Sequence, residues 1–290
     1  MRPKEKGKRK MAERKRKSKK DDGVRIVATS DLHGELDGLE RYAIGADVLV
    51  IAGDIQPARI GVDVPRWFTE EFYPLMGKLG CEVVAIPGNH DFHLSRCLAS
   101  ADGKGMDGAP PNFHLLMPDS GIEVKGIYFW GTPWCPWIDG RWCFEREDAD
   151  LLDYFRQIPS LVDVLITHTP PKIPKGDGFA NLDASTQYDA RYWRHFGSES
   201  LYTAMKAKLP SVVVSGHIHS GDHEPYGAMM PKKQCVCMNV SRLNENYKIA
   251  YKPTRFRLTD GAVVIEEYGK EENDIAALMR KNTAENPVFP

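Results

Sequence analysis

Val83-Val84-Ala85-Ile86-Pro87-Gly88-Asn89-His90-Asp91 is an apolar run that empties into an amide, an imidazole and a carboxylate. Open α/β sheets place their ligands beyond the carboxyl ends of the strands, so the run reads as a buried strand delivering reactive groups to a loop. Asn, His and Asp beside a glycine also make ordinary turns, and the choice between site and turn depends on whether the rest of the chain repeats the pattern.

The pattern recurs. Residues 24–29, mostly apolar as expected when both faces of a sheet are covered, run into Ser30-Asp31-Leu32-His33-Gly34. Val48-Leu49-Val50-Ile51 ends at Gly53-Asp54, residues 162–167 end at His168-Thr169-Pro170-Pro171, and the Val-rich residues 211–215 end at Gly216-His217-Ile218-His219. In extended backbone the last two imidazoles project the same way, which suits two neighbouring cations.

Between these strands the sequence predicts helices over 36–46, 63–79 and 151–158. The second carries Asp63 and Pro65 as cap and first-turn residue and apolar side chains at 68, 72, 75, 76 and 79, with Pro74 kinking or shortening it. Residues 94–111, rich in Gly, Ala and Asp, read as a loop, and 121–130 as one strand. Residues 131–142 hold three of the six tryptophans with two prolines and two glycines, a surface loop. Trp134 and Trp137 there either stack a substrate base or cover the edge of the core. Residues 172–210 look like an insertion, either a lid that brings Arg191 and His195 to substrate or a solvated helix. Asp260-Gly261 between strand-like runs predicts a hairpin, and Ile275, Leu278 and Met279 a last helix. The domain reading is a basic disordered tail over 1–22, one domain over 23–270, and a C-terminal helix and tail over 271–290.

Charge is unevenly spread. Residues 1–20 hold 12 of the 39 Lys and Arg but only two of the 40 acids, Glu5 and Glu13, leaving 27 bases against 38 acids in the remainder. The tail fits a solubilising segment, a phosphate-contacting arm for nucleic acid, or a nuclear address in a eukaryotic cell. No stretch approaches the roughly 18 apolar residues of a membrane span, and no signal-peptide apolar region follows the basic start, which predicts a cytoplasmic protein without a membrane partner. The six cysteines read as reduced thiols.

Asp31, His33, Asp54, Asn89, His168, His217 and His219 are two carboxylates, one amide carbonyl and four imidazoles, more than one ion requires. That mixture suits two borderline divalent ions, Mn, Fe or Zn, roughly 3.5 to 4 Å apart, with Asp54 as the bridge.

With its blocks in order, Asp31-Leu32-His33, Gly53-Asp54, Gly88-Asn89-His90-Asp91, Thr167-His168 and Gly216-His217-Ile218-His219, the chain resembles the calcineurin-like metallophosphoesterase superfamily over residues 24 to about 241. The resemblance implies an α/β class fold, a four-layered α/β/β/α sandwich. It implies one metal on Asp31, His33, Asp54 and His219, and another on Asp54, Asn89, His168 and His217. It implies that His90 contacts phosphate and protonates the leaving oxygen, that Asp91 orients its ring, and that metal-activated water attacks phosphorus. Residues 131–137, Thr167-His168-Thr169-Pro170-Pro171 and Asn239-Val240-Ser241 are most similar to the class III cyclic-nucleotide phosphodiesterase-like branch, which includes brain metallophosphoesterase-domain proteins. Some of that branch lack one histidine of the last block, whereas this chain keeps both.

The leading expectation is a phosphodiesterase of small, including cyclic, nucleotides, since an acidic body disfavours long polyanions. The alternatives are a nuclease that uses the basic tail, a protein phosphatase, and a non-catalytic scaffold of the same fold. Oligomeric state is not legible.

Overall fold

A computed structural model describes residues 23–100, 106–173, 188–189, 194–195, 197–220, 223–231, 234–260 and 262–271. The basic tail, Arg191 and the apolar trio Ile275, Leu278 and Met279 lie outside the described residues.

The first half of the chain alternates strand and helix: β1 (Val24–Thr29), α1 (Leu39–Ala43), β2 (Val48–Ala52), α2 (Val64–Trp67), a π-helical turn (Phe68–Phe72), α3 (Tyr73–Lys78), β3 (Glu82–Ile86), α4 (Phe92–Ala99) and β4 (Phe113–Leu115). Asp63 caps α2 by accepting the Arg66 N–H. Pro74, which has no N–H to give residue 70, follows the π-helical turn, and the helical run continues to Lys78. The predicted loop at 94 is instead α4, whose buried side chains are His93, Leu94 and Cys97. Two apolar positions among Gly, Ala and Asp are too few to register as a period.

The second half comprises β5 (Ser120–Val124), β6 (Ile127–Thr132), β7 (Cys135–Pro136), β8 (Glu145–Arg146), α5 (Asp148–Phe155), β9 (Val164–Thr167), β10 (Tyr188–Asp189), β11 (Arg194–His195), α6 (Glu199–Lys208), β12 (Val212–Ser215), β13 (Tyr226–Met229), β14 (Gln234–Asn239), β15 (Thr254–Leu258) and β16 (Val263–Glu267). The single strand expected over 121–130 is a hairpin: β5 pairs antiparallel with β6 across Lys125 and Gly126, both left-handed at φ 53° and 81°. That is the backbone of a tight primed turn, with Lys where Asn or Asp would have announced it.

Two six-stranded sheets result, ordered β16-β15-β1-β2-β3-β4 and β13-β14-β12-β9-β6-β5. Alternation along each central strand sends side chains to two cores. Ile26, Val50, Val84, Val164, Ile166, Val212 and Val214 meet between the sheets. Val27, Leu49, Ile51, Val83 and Ala85 face outward onto Leu39, Phe68, Phe72 and Met76, while Leu165 and Val213 pack on Leu151, Phe155, Leu201 and Met205. Helices thus flank both sheets, giving the four-layered α/β/β/α sandwich. All six cysteines are free. No helix among the described residues is long and apolar enough to cross a membrane.

Central strands are parallel within each sheet, so their carboxyl ends open at one edge, and Ser30 bridges Ser241 there. The predicted strand ends therefore converge.

Candidate metal centre

The loops after β1 and β2 are zipped together before any side chain is considered. Asp31 N–H donates to the Gly53 carbonyl at 2.9 Å, His33 N–H to Asp54 at 2.9 Å and Gly34 N–H to Ile55 at 3.1 Å. Asp31, His33, Asp54 and His217 all adopt left-handed backbone, at φ 53°, 45°, 55° and 70°, a conformation L-residues hold only where surrounding structure imposes it. His217 is consequently not in extended backbone. The His217 and His219 rings part, His217 Nδ1 lying 3.0 Å from Asn89 Oδ1 and His219 Nε2 lying 3.1 Å from Asp31 Oδ1.

All seven residues read from the strand ends come together, in two halves about Asp54. On one side Asp54 Oδ2 lies 3.6 Å from His33 Nε2, with Asp31 and His219 beyond. On the other, Asp54 Oδ1 lies 3.5 Å from His168 Nε2, and His168 Nε2 lies 2.8 Å from Asn89 Oδ1. Asp31, His33 and His219 form one group able to hold a cation, Asp31, Asp54 and His168 another, and His33, Asp54 and His90 a third.

The donor set fits divalent ions on three counts. Both nitrogens of buried His33 have no hydrogen-bond partner, a costly arrangement that a ligand removes. His168 Nδ1 donates to the Ala52 carbonyl at 2.9 Å and His219 Nδ1 to the Asn244 carbonyl at 3.1 Å. A carbonyl can only accept, so when either ring is neutral its Nε2 carries the lone pair, the arrangement in which imidazoles bind metals. Third, the lone pair of a neutral His168 would face the Asn89 oxygen. With the Asn89 oxygen turned toward the ring, a proton on the imidazole or a cation between the two groups relieves the contact.

Electrostatics agree. Burial pushes His33 down to about 4, and burial with the neighbouring His168 pushes His217 down to about 3, leaving both rings neutral. Burial opposes a charge on His168 as well, but Asp54 beside it more than compensates and raises it to about 9. Against the cost of burial, His168, His90 and His33 hold Asp54 well below the usual carboxylate range, and His219 does the same for Asp31.

His90 stands at the rim, its side chain 21% exposed against 2% for Asp54 and its Nε2 3.9 Å from Asp54 Oδ2. Asp91 does not orient it. The fully buried Asp91 carboxylate accepts N–H groups of Ile55 at 2.9 Å, Gln56 at 2.8 Å and Gly88 at 2.7 Å. It is occupied in joining the β2 and β3 loops, and burial with the nearby Asp54 charge raises it to about 7.

In the aromatic loop Trp134 takes the core-covering alternative. Trp134 donates to Asp119 at 2.7 Å and packs on Tyr154 with ring centroids 4.2 Å apart, so it covers the core edge. Trp137 is 54% exposed and makes no ring contact with a site residue among the described residues. His195 lies in β11, paired with Tyr188 of β10. The ring of this loop that reaches the site is Trp142, its centroid 4.3 Å from that of His90. Sequence reasoning also passes over Ser241, which donates to Asp31 Oδ2 at 2.8 Å, and Tyr247, whose ring lies 4.8 Å from His33 and 5.3 Å from His219. Asn239 orders the Ser241 turn by accepting its N–H at 3.0 Å; of these residues, only Asn239 and Ser241 carry a signal, the Asn239-Val240-Ser241 segment.

The sequence model of the calcineurin-like phosphoesterases matches residues 24–221, the span that holds all seven converging residues. The chain belongs to the calcineurin-like phosphoesterase family. It is 32% identical over 262 residues to UPF0046 protein T07D4.2 of Caenorhabditis elegans, covering 82% of this chain and 60% of that one. It is 28% identical over 245 residues to metallophosphoesterase domain-containing protein 1 of Homo sapiens, covering 78% of this chain and 68% of that one. The chain thus spans less than two thirds of the nematode protein. Among solved structures, TT1561 of Thermus thermophilus superposes with a TM-score of 0.53 at 15% identity, covering 86% of this chain and 99% of that one. At that identity the likeness speaks for the calcineurin-like fold alone.

Proposed function

We propose that this calcineurin-like phosphoesterase is a hydrolase that uses two divalent ions, Mn, Fe or Zn, to cleave small phosphodiesters, nucleotides and cyclic nucleotides among them. The observation that carries the reading is Asp54 standing between two groups of donors, with His90 beside them at the rim. Asp31, His33, Asp54 and His219 would hold one ion and Asp54, Asn89, His168 and His217 the other. When bound, such ions supply Lewis acidity to phosphoryl oxygens and acidify a water.

The chain's own residues would do the rest. His90 N–H hydrogen-bonds a phosphoryl oxygen and passes its proton to the leaving oxygen. Asn89 completes the cation site without adding negative charge where an anionic substrate must approach. Ser241 and the His217 N–H fix Asp31, and the Asn244 and Ala52 carbonyls fix the His219 and His168 tautomers.

A screen of mono-, di- and cyclic-nucleotide phosphoesters with Mn, Fe and Zn added in turn tests the reading. Turnover of at least one class, lost on chelation, is expected. If metal-loaded protein cleaves none and His90→Ala leaves the cellular role intact, the non-catalytic scaffold replaces the enzyme. A nuclease remains the second reading because of the 12 bases in residues 1–20. Salt-dependent nucleic-acid binding that disappears on deletion of those residues would favour it.

A further inference from the structure

Something must hold the His90 ring, and among the described residues no carboxylate hydrogen-bonds it. Asp91 is engaged with three backbone N–H groups, and the Asp54 oxygen stands 3.9 Å from His90 Nε2, beyond hydrogen-bond reach. Among the described residues, two rings pack against the imidazole. Trp142 covers it at a centroid distance of 4.3 Å and an interplanar angle of 35°, and His33 meets it edge-on at 4.8 Å and 84°.

Trp142 is itself anchored. The N–H of Cys143 donates to the Asn89 carbonyl at 3.0 Å, so the residue after the tryptophan is bonded to the residue before the histidine. Glu145, only 3% exposed, gathers the loop by accepting N–H groups of Ile138 at 3.2 Å, Asp139 at 3.3 Å and Trp142 at 3.5 Å. Phe92 stands 6.1 Å from the indole. An indole packed on an imidazole in this way is committed to the protein and not to a substrate base.

We infer that Trp142 is a positioning residue for His90, holding the imidazole in the plane from which its N–H reaches the leaving oxygen. The inference rests on the phosphoesterase reading. In the step concerned, the bond from phosphorus to the ester oxygen breaks, the His90 N–H proton passes to that oxygen to give the free alcohol, and the hydroxyl from water stays on phosphorus. The proton released by the water returns to His90 directly or through solvent.

The test uses full-length, metal-loaded protein and a series of substituted-phenyl methyl phosphates, which differ only in how badly the leaving phenolate needs a proton. Trp142→Ala should lower kcat by about 10- to 100-fold for unsubstituted phenol and by less than about 3-fold for p-nitrophenol, with KM and metal content unchanged. His90→Ala should show the same slope, the double variant should be no slower than His90→Ala, and Trp142→Phe should restore most of the loss. Independently of turnover, the His90 ring protons of the zinc-loaded protein should lie upfield in NMR spectra and move toward ordinary positions in Trp142→Ala. Equal loss across the series, additive losses in the double variant, or an unmoved His90 signal overturns the assignment. If wild-type protein hydrolyses neither a member of this series nor any nucleotide phosphoester, the phosphoesterase reading itself falls and takes the assignment with it, while the NMR shift still reports whether the rings pack.

Discussion

The Asp91 carboxylate accepts the backbone N–H of Gln56 at 2.8 Å, binding the loop after β3 to the loop after β2. With Ile55 and Gly88 also donating, Asp91→Ala would leave three buried N–H groups without an acceptor, at roughly 1 to 3 kcal/mol each. Urea unfolding should show a loss of at least ~3 kcal/mol, with Asp91→Asn, which retains one acceptor oxygen, losing less. An Asp91→Ala protein as stable as wild type would return the residue to the catalytic role its sequence position suggests.

Asp54 and His90 should separate in their effects. Asp54→Ala removes the group common to both halves of the centre and should abolish metal loading, whereas His90→Ala should load normally and turn over about 10²- to 10⁴-fold more slowly. Metal analysis beside steady-state rates decides the matter, and normal metal content in Asp54→Ala would refute the bridging assignment.

Metal loading should expel a proton. With its folded-state pKa raised to about 9 by Asp54, His168 is charged in the metal-free protein at pH 7.5 and must be neutral to bind an ion. The metal-free state therefore holds more protons, so affinity should rise about tenfold per pH unit from 7 to about 9 and level off above. Calorimetry in two buffers of different ionisation enthalpy should report at least one proton released, since Asp31 also raises His219 against the effect of burial, and buffer-independent heats would contradict the charged ring.

Gly88 has no room for a side chain. A Cβ there would run into Asp54 Oδ1 and the Asp54 backbone nitrogen, with His168 Cε1 at 2.7 Å. Gly88→Ala should keep the fold, judged by circular dichroism, and lose metal affinity by about 10-fold or more. Unchanged affinity would mean that the Asp54 loop has slack the packing does not show.

The strand ends are legible because runs such as Val48-Leu49-Val50-Ile51 change abruptly from apolar to ligand-type residues, and that change is local. The hairpin at Lys125-Gly126 and helix α4 escape a reading from sequence because their own residues carry weak signals and long-range packing decides them. Trp142 is invisible as the ring over His90 for a related reason. Its place is set by the Asn89 carbonyl, 54 residues before Cys143, and by the Glu145 carboxylate. Asp91 misleads because adjacency in sequence is not adjacency of side chains: its carboxylate turns toward residues 55 and 56.

The seven converging side chains are drawn from both layers: Asp31, His33, Asp54 and Asn89 follow β1, β2 and β3 of one sheet, and His168, His217 and His219 follow β9 and β12 of the other. An ion held among them is therefore a cross-link between two sheets that otherwise adhere mainly through apolar side chains. At 100 times its Kd such a ligand adds about 2.7 kcal/mol to folding stability. Chelation should lower Tm as well as activity, because docking the sheets and assembling the centre are the same cooperative event.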